Sequence, residues 1–279
     1  MSHHDDAHEH DLGLSNDLPR LLGRRRALGL MSGAGLVAAL AACGASDSSG
    51  PTATTPSARP DRDGGPTTAT ADGEIPEETA GPFPGDGSNG ANVLTETGIV
   101  RSDITTSIGT ASAVAAGIPT TVELTVIDMN GDDIAPYEGA AVYLWHCDRQ
   151  GRYSMYDQAI ADENYLRGVQ AADGDGKVTF TTIFPAAYDG RWPHMHVEIY
   201  RDTTSAVAGS NKLRTTQLAI PEDAAKAVYA TSGYEASVAN LARTSLDTDM
   251  VFSDGYSLQL AKVSGSVEDG YTLKLNVAV

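Results

Sequence analysis

Beyond about residue 120 the chain is written in short stretches where apolar and polar residues alternate, each closed by a turn signal, with no long helical periodicity. Alternation with period two is what a strand with one face on a core requires, so the pattern points to an all-β fold. Thr121 to Asp128 places Val122, Leu124 and Val126 on one face, and Asn130-Gly131 behind it is a strong turn. Ala140 to Cys147 forms the next predicted strand. Asp173-Gly174-Asp175-Gly176 reads as a hairpin turn leading into Val178 and Phe180; it lacks the closing Glu and flanking helices of a calcium loop. His194 to Tyr200, Thr215 to Ile220, Tyr256 to Lys262 and Tyr271 to Val279 alternate as well, and one short helix is predicted at Pro221 to Ala230, with Pro in its first turn. The expectation is an antiparallel β-sandwich with long loops and one or two short helices, occupying residues 77–279.

The chain ahead of that domain has a different texture. Residues 1–23 are polar. Arg24-Arg25-Arg26 then supplies a twin-arginine pair before an apolar run from Ala27 to Ala42. That run spans roughly 24 Å as a helix, short of a bilayer core of about 30 Å. It ends in Leu40-Ala41-Ala42-Cys43, which resembles a bacterial lipobox in which Cys43 is acylated and becomes the new N-terminus. Residues 1–43 therefore read as a twin-arginine lipoprotein signal, with a cell-surface lipoprotein or secreted protein as the outcome. The plainer alternatives are a membrane anchor or an uncleaved N-terminal helix. His3, His4, His8 and His10 precede the cleavage point and are taken as signal composition. Residues 44–76 hold 20 Gly, Ser, Pro or Thr among 33 and no aromatic, so they are expected to form a disordered linker.

The formal charge of the whole chain is −18. A surface so acidic repels phosphate backbones and argues against nucleic acid as a partner; the only expected membrane contact is the lipid anchor. There are two cysteines, Cys43 and Cys147. With Cys43 acylated, Cys147 has no partner for a disulfide and is expected to be a buried, inert thiol.

Downstream of the signal three histidines remain: His146, His194 and His196. Residues i and i+2 of a strand share a face, so Pro193-His194-Met195-His196 presents two imidazoles side by side while Met195 and Val197 face a core. Such a pair is half of a metal site, and taken alone it reads equally well as a solvated strand pair. His146 shares a face with Val142 and Leu144 and is expected to be a satisfied, partly buried histidine.

The surroundings extend the pattern. Glu78-Thr79-Ala80-Gly81-Pro82-Phe83, Val100-Arg101-Ser102-Asp103-Ile104, the stretch from Trp145 to Tyr153, Asn164-Tyr165-Leu166-Arg167-Gly168, Phe180 to Pro185, Arg191-Trp192-Pro193-His194-Met195-His196 and Thr216-Gln217-Leu218 follow in order. Together they resemble the intradiol ring-cleavage dioxygenases, the family of protocatechuate and catechol dioxygenases, over roughly residues 78 to 234. The resemblance implies non-haem Fe(III) held by Tyr153, Tyr188, His194 and His196. It further implies three catalytic residues: Arg191 to stabilise negative charge developing on the substrate, Gln217 lining the pocket, and Tyr188 doubling as acceptor of a substrate proton. Phenolates are hard anionic donors, so such a set suits a ferric ion, whereas two histidines and one carboxylate suit ferrous oxygenases. The implied reaction uses O₂ to open a catechol between its hydroxylated carbons, giving a muconate-type diacid. The members that dimerise through helical N-terminal regions have no counterpart in this polar linker.

A competing reading is a catalytically inactive cell-surface binding module for aromatic or carbohydrate ligands. A hydrolase is disfavoured by the absence of Gly-x-Ser-x-Gly. Tyr165 is expected to line the pocket or to pack.

Overall fold

The computed structural model describes residues 73–129 and 134–279. The signal, Cys43, most of the linker and the Asn130-Gly131 turn lie outside the described residues. Nine strands form two sheets: β1 (Pro119–Asp128), β2 (Ala135–Pro136), β3 (Ala141–Trp145), β4 (Arg167–Ala171), β5 (Lys177–Ile183), β6 (His194–Tyr200), β7 (Lys212–Ala219), β8 (Lys262–Ser266) and β9 (Gly270–Ala278). One sheet runs β2-β1-β9-β8, with β5 also paired to β1; the other runs β4-β3-β6-β7. Among the described residues there are also three short helices: α1 (Thr203–Val207), α2 (Glu222–Tyr229) and α3 (Glu235–Leu241). Among the described residues no helix is long and apolar enough to cross a membrane.

The alternation read from sequence is what brings the sheets together. Val122, Leu124 and Val126 of β1 and Val178 and Phe180 of β5 face Val142, Leu144, Met195, Val197 and Leu218 of the second sheet in one buried cluster. Each fully buried side chain of this size contributes about 1.5–3 kcal/mol. The outer face of the second sheet is also covered. Tyr143, Trp145, Cys147, Val169 and Tyr200 pack there against Val93, Leu94 and Ile99 of the long N-terminal segment. All seven residues of β6 are buried as a result, which removes the solvated-pair reading of His194 and His196.

The structure departs from the sequence reading at several places. The sandwich is not wholly antiparallel: β1 and β9 pair in parallel, Thr120 opposite Tyr271 through Ile127 opposite Ala278. The expected strand at Tyr256 to Lys262 is mostly a turn, because Tyr256 O accepts from the amides of both Gln259 and Leu260; the strand begins at Lys262. Asp173 Oδ1 does close a tight turn by accepting from the amides of Asp175 and Lys177. The strands it joins, β4 and β5, lie in opposite sheets, so this is a crossover and not a hairpin. The fold also takes up the chain before residue 77: Ile75 is buried in the main core and its amide donates to Ala278 O at 2.9 Å. The helix at 221–230 is found as Glu222–Tyr229, with Pro221 at its N-cap.

Candidate metal centre

β6 supplies both imidazoles to the outer face of the second sheet. His194 is paired across the ladder with Ala219, and His196 with Gln217 on one side and Trp145 on the other. His194 Nδ1 lies 2.6 Å from Trp192 O. A carbonyl can only accept, so Nδ1 carries the proton and Nε2 presents its lone pair to the site. His196 has no such partner at Nδ1. Its ring is held by stacking on Trp145, with centroids 4.7 Å apart and planes 7° from parallel.

The two tyrosines arrive on loops. Tyr153 follows β3 in a turn organised by Asp148, whose carboxylate accepts from the amides of Gln150 and Arg152 and from the Arg152 guanidinium. Tyr188 follows β5, in a loop fixed by Ser237 Oγ on Ala187 N and by Asn240 Nδ2 on Ala187 O. The loops touch at Gly151, which has φ +85°; a Cβ there would sit 3.1 Å from the Cβ of Tyr188. Glycine thus serves both the backbone conformation and the close approach.

The four side chains meet in sequence. Tyr188 Oη lies 3.2 Å from His194 Nε2, His194 Nε2 lies 3.2 Å from His196 Nε2, and His196 Nε2 lies 3.2 Å from Tyr153 Oη. These spacings are long for hydrogen bonds from a phenol. They match the roughly 3.3 Å that separates donors set about 2.0–2.1 Å from a shared ion in a four-coordinate site. Among the described residues there is no group of three or more His, Cys, Asp or Glu that could hold a metal; the donor set here depends on its phenols. Tyr153, His194 and His196 are almost wholly buried, and Tyr188 is half-buried.

Burial dominates the electrostatics. It pushes the phenols of Tyr153 and Tyr188 up from their ordinary range, the charge of Arg191 opposing it at Tyr188. It holds both imidazoles well below the usual histidine range. The protein alone therefore keeps four neutral donors, and a trivalent cation fits the set because it would displace both phenolic protons.

Arg191 and Gln217 join the site. Arg191 Nη1 is 3.5 Å from His194 Nε2, and Arg191 Nη2 donates to Gln217 Oε1 at 2.6 Å. Gln217 Nε2 in turn donates to Thr79 O at 2.9 Å. Burial lowers the Arg191 pKa, but Tyr188 and Asp249 more than offset it and keep the guanidinium charged.

Three contributors were not read from sequence. Asp249 binds Arg191, Trp145 supports His196, and Phe83 packs 5.1 Å from the ring of Tyr153. Trp145 and Phe83 lay within resembling segments but carried no chemistry of their own. Asp249 sits in a polar turn with no distinguishing signal. The other candidates are structural. His146 is fully buried between Cys147 O at 2.8 Å and Thr182 Oγ1 at 2.7 Å, Tyr165 packs with Ala115, Leu166 and Ile183, and burial pushes the Cys147 thiol up.

Comparison with known proteins places these features in context. A family model described as "Dioxygenase" matches residues 98–229. An intradiol ring-cleavage dioxygenase from Tetranychus urticae superposes with a TM-score of 0.58 at 27% identity, covering 74% of this chain and 94% of that one. Catechol 1,2-dioxygenase 1 of Acinetobacter lwoffii is 38% identical over 61 residues, which is 22% of this chain and 20% of the relative. A chlorocatechol 1,2-dioxygenase of Rhodococcus opacus is 35% identical over 54 residues, 19% of this chain and 21% of the relative. The match thus spans about a fifth of the length of these curated relatives.

Proposed function

We propose that the chain is an intradiol ring-cleavage dioxygenase, a non-haem ferric enzyme acting on a catechol-type diol; the family match over residues 98–229 and the fold shared with the Tetranychus urticae dioxygenase support this reading. The reading rests on one observation: two phenol oxygens and two imidazole nitrogens follow one another at 3.2 Å intervals inside the protein. Tyr153, Tyr188, His194 and His196 would hold the iron. Bound Fe(III) supplies a Lewis acid that draws electron density from a chelating catechol and makes its ring reactive toward O₂.

The chain's own residues set the rest. Tyr188 Oη, the half-buried phenol, would as an iron-bound phenolate take a proton from an incoming catechol hydroxyl. Arg191 is a fixed cation beside His194, held by Gln217, and stabilises negative charge developing on the substrate. Phe83 and Trp145 keep the Tyr153 and His196 side of the site dry. The balance is one catechol plus one O₂ to one muconate-type diacid: the bond between the hydroxylated carbons breaks, and both oxygen atoms enter the two carboxyl groups.

Oxygen uptake by the ferric-loaded protein across a panel of catechols tests this. Wild type should consume O₂ with at least one catechol and yield the diacid, and Tyr188→Phe should fall to background. A wild type that consumes no oxygen with any catechol ends the reading. Export and acylation at Cys43 form a separate part of the proposal, supported by the order of the Arg pair, the short apolar run and the small residues before Cys43. Cys43→Ala should move the protein from the membrane fraction to the medium or the soluble fraction; an unchanged membrane fraction would remove the anchor.

A further inference from the structure

We propose that Asp249 is a positioning residue for this site: its carboxylate orients the Arg191 guanidinium so that Nη1 is the donor left facing the metal centre. The inference deepens the ring-cleavage reading and rests on it for its catalytic consequence.

Asp249 is 1% exposed. Its Oδ2 accepts from Arg191 Nε at 2.9 Å and from Trp192 N at 2.7 Å. Its Oδ1 accepts from Val251 N at 2.8 Å, and at longer range from Phe252 N at 3.3 Å and Arg191 Nη2 at 3.4 Å. Backbone amides thus grip both oxygens, and the carboxylate has little freedom to follow the arginine. The guanidinium conforms to the carboxylate.

A guanidinium is planar and rigid, so fixing two of its nitrogens fixes the third. Nε is taken by Asp249, and Nη2 by Gln217 Oε1 at 2.6 Å and Asp249. Nη1 is bonded to neither and lies 3.5 Å from His194 Nε2. Without Asp249, a single bond from Gln217 would leave the group free to rotate. Net stability is a poor explanation for the pair, since buried ion pairs add little over apolar packing. Its geometry, on the edge of the guanidinium opposite the donor cluster, explains it better.

Asp249 comes from the turn that precedes the 3-10 turn Phe252–Asp254. It lies outside the residues matched by the family model, 98–229, which include Arg191, Gln217 and all four proposed ligands.

Two measurements test the idea. The first uses iron-free protein and reads solvent exchange of the Arg191 Nε–H by NMR. Wild type should show a slowly exchanging resonance that Asp249→Asn loses. The second uses ferric protein and a double-mutant cycle. Asp249→Asn should lower kcat roughly 10–100-fold while KM for catechol holds, and the double variant with Arg191→Ala should be no slower than Arg191→Ala alone. Losses that multiply in the double variant would show that Asp249 acts elsewhere and overturn the proposal, as would slow exchange that survives Asp249→Asn. Should Asp249→Asn fail to fold, wild type still decides: fast exchange at Arg191 Nε in the folded protein refutes the positioning. A wild type without catechol turnover sinks the ring-cleavage reading instead, and the exchange measurement still judges Asp249.

Discussion

The indole of Trp145 lies flat on the imidazole of His196, with centroids 4.7 Å apart and ring planes 7° from parallel. His194 has a backbone carbonyl to fix its ring, whereas His196 Nδ1 has no partner, so the stack is what sets the direction of His196 Nε2. Metal-bound imidazoles ordinarily rely on a hydrogen bond at the second nitrogen for that purpose. Trp145→Ala should cost about 3–5 kcal/mol of stability as a buried large-to-small change and should speed iron release to a chelator. Trp145→Phe should retain most of the wild-type release rate. Equal release rates for wild type and the alanine variant would show that the stack does not position the ligand.

Removing either phenol separates metal binding from folding. The hydroxyls of Tyr153 and Tyr188 lie 3.2 Å from His196 Nε2 and His194 Nε2 and also bond to each other. Loss of one such weak contact should change the urea midpoint of the iron-free protein by no more than about 0.5–1.5 kcal/mol. The same Tyr153→Phe and Tyr188→Phe variants should lose catechol turnover and show a weaker, shifted visible band after ferric reconstitution, since each removes one tyrosinate-to-iron transition. A visible band unchanged in both variants would exclude the phenols as ligands.

What could be read from the sequence follows the range of the interactions involved. The imidazole pair was legible because a strand fixes the relation of i and i+2 locally, and His194 to Tyr200 was found as a strand with those bounds. The tyrosines were legible only through a resemblance, because their convergence depends on two loops meeting at Gly151. Asp249 was not legible at all: its partner is 58 residues away. The parallel pairing of β1 with β9 is likewise a property of distant segments. β4 was missed because Arg167, Gly168 and Val169 are all buried, so the strand does not alternate. Its Arg167 is covered by the N-terminal segment, which alternation cannot foresee.

That arginine leads to a further expectation. Arg167 is fully buried, and among the described residues its hydrogen bonds go to carbonyls and hydroxyls: Nη1 donates to Phe83 O, Pro84 O and Tyr143 Oη, Nη2 to Ser154 O, and Nε to Ser154 Oγ. It ties the segment carrying Phe83 to the loop carrying Tyr153. Arg167→Met would leave the Phe83 and Ser154 carbonyls without this donor at about 1–3 kcal/mol each, while Pro84 O keeps the Tyr143 hydroxyl at 2.7 Å. The variant should lose at least about 2 kcal/mol in urea denaturation, and iron content after reconstitution should fall with it. A stable variant with full iron content would show that water or repacking replaces these bonds.

Acid sensitivity of the iron-free protein offers a test away from the metal ligands. His146 is wholly buried, and burial lowers its pKa to about 4, with Arg167 adding to the effect and the bond to Cys147 O opposing it. In the unfolded chain the same ring titrates near 6.5. Between those two values the unfolded chain holds a proton that the folded chain lacks, so each unit of falling pH favours unfolding by about 1.4 kcal/mol. The stability tied to neutral His146 is complete above pH 6.5 and is lost progressively as pH falls toward 4, roughly 3 kcal/mol in all. His194 and His196 are lowered by burial too and steepen the same decline. His146→Gln keeps a donor for Cys147 O and an acceptor for Thr182 Oγ1 but cannot titrate. It should start less stable than wild type at pH 7.5, and the gap should close as pH falls to 5 in urea denaturation of iron-free samples. A gap that stays constant over that range would mean that His146 is not the neutral, buried group its surroundings require.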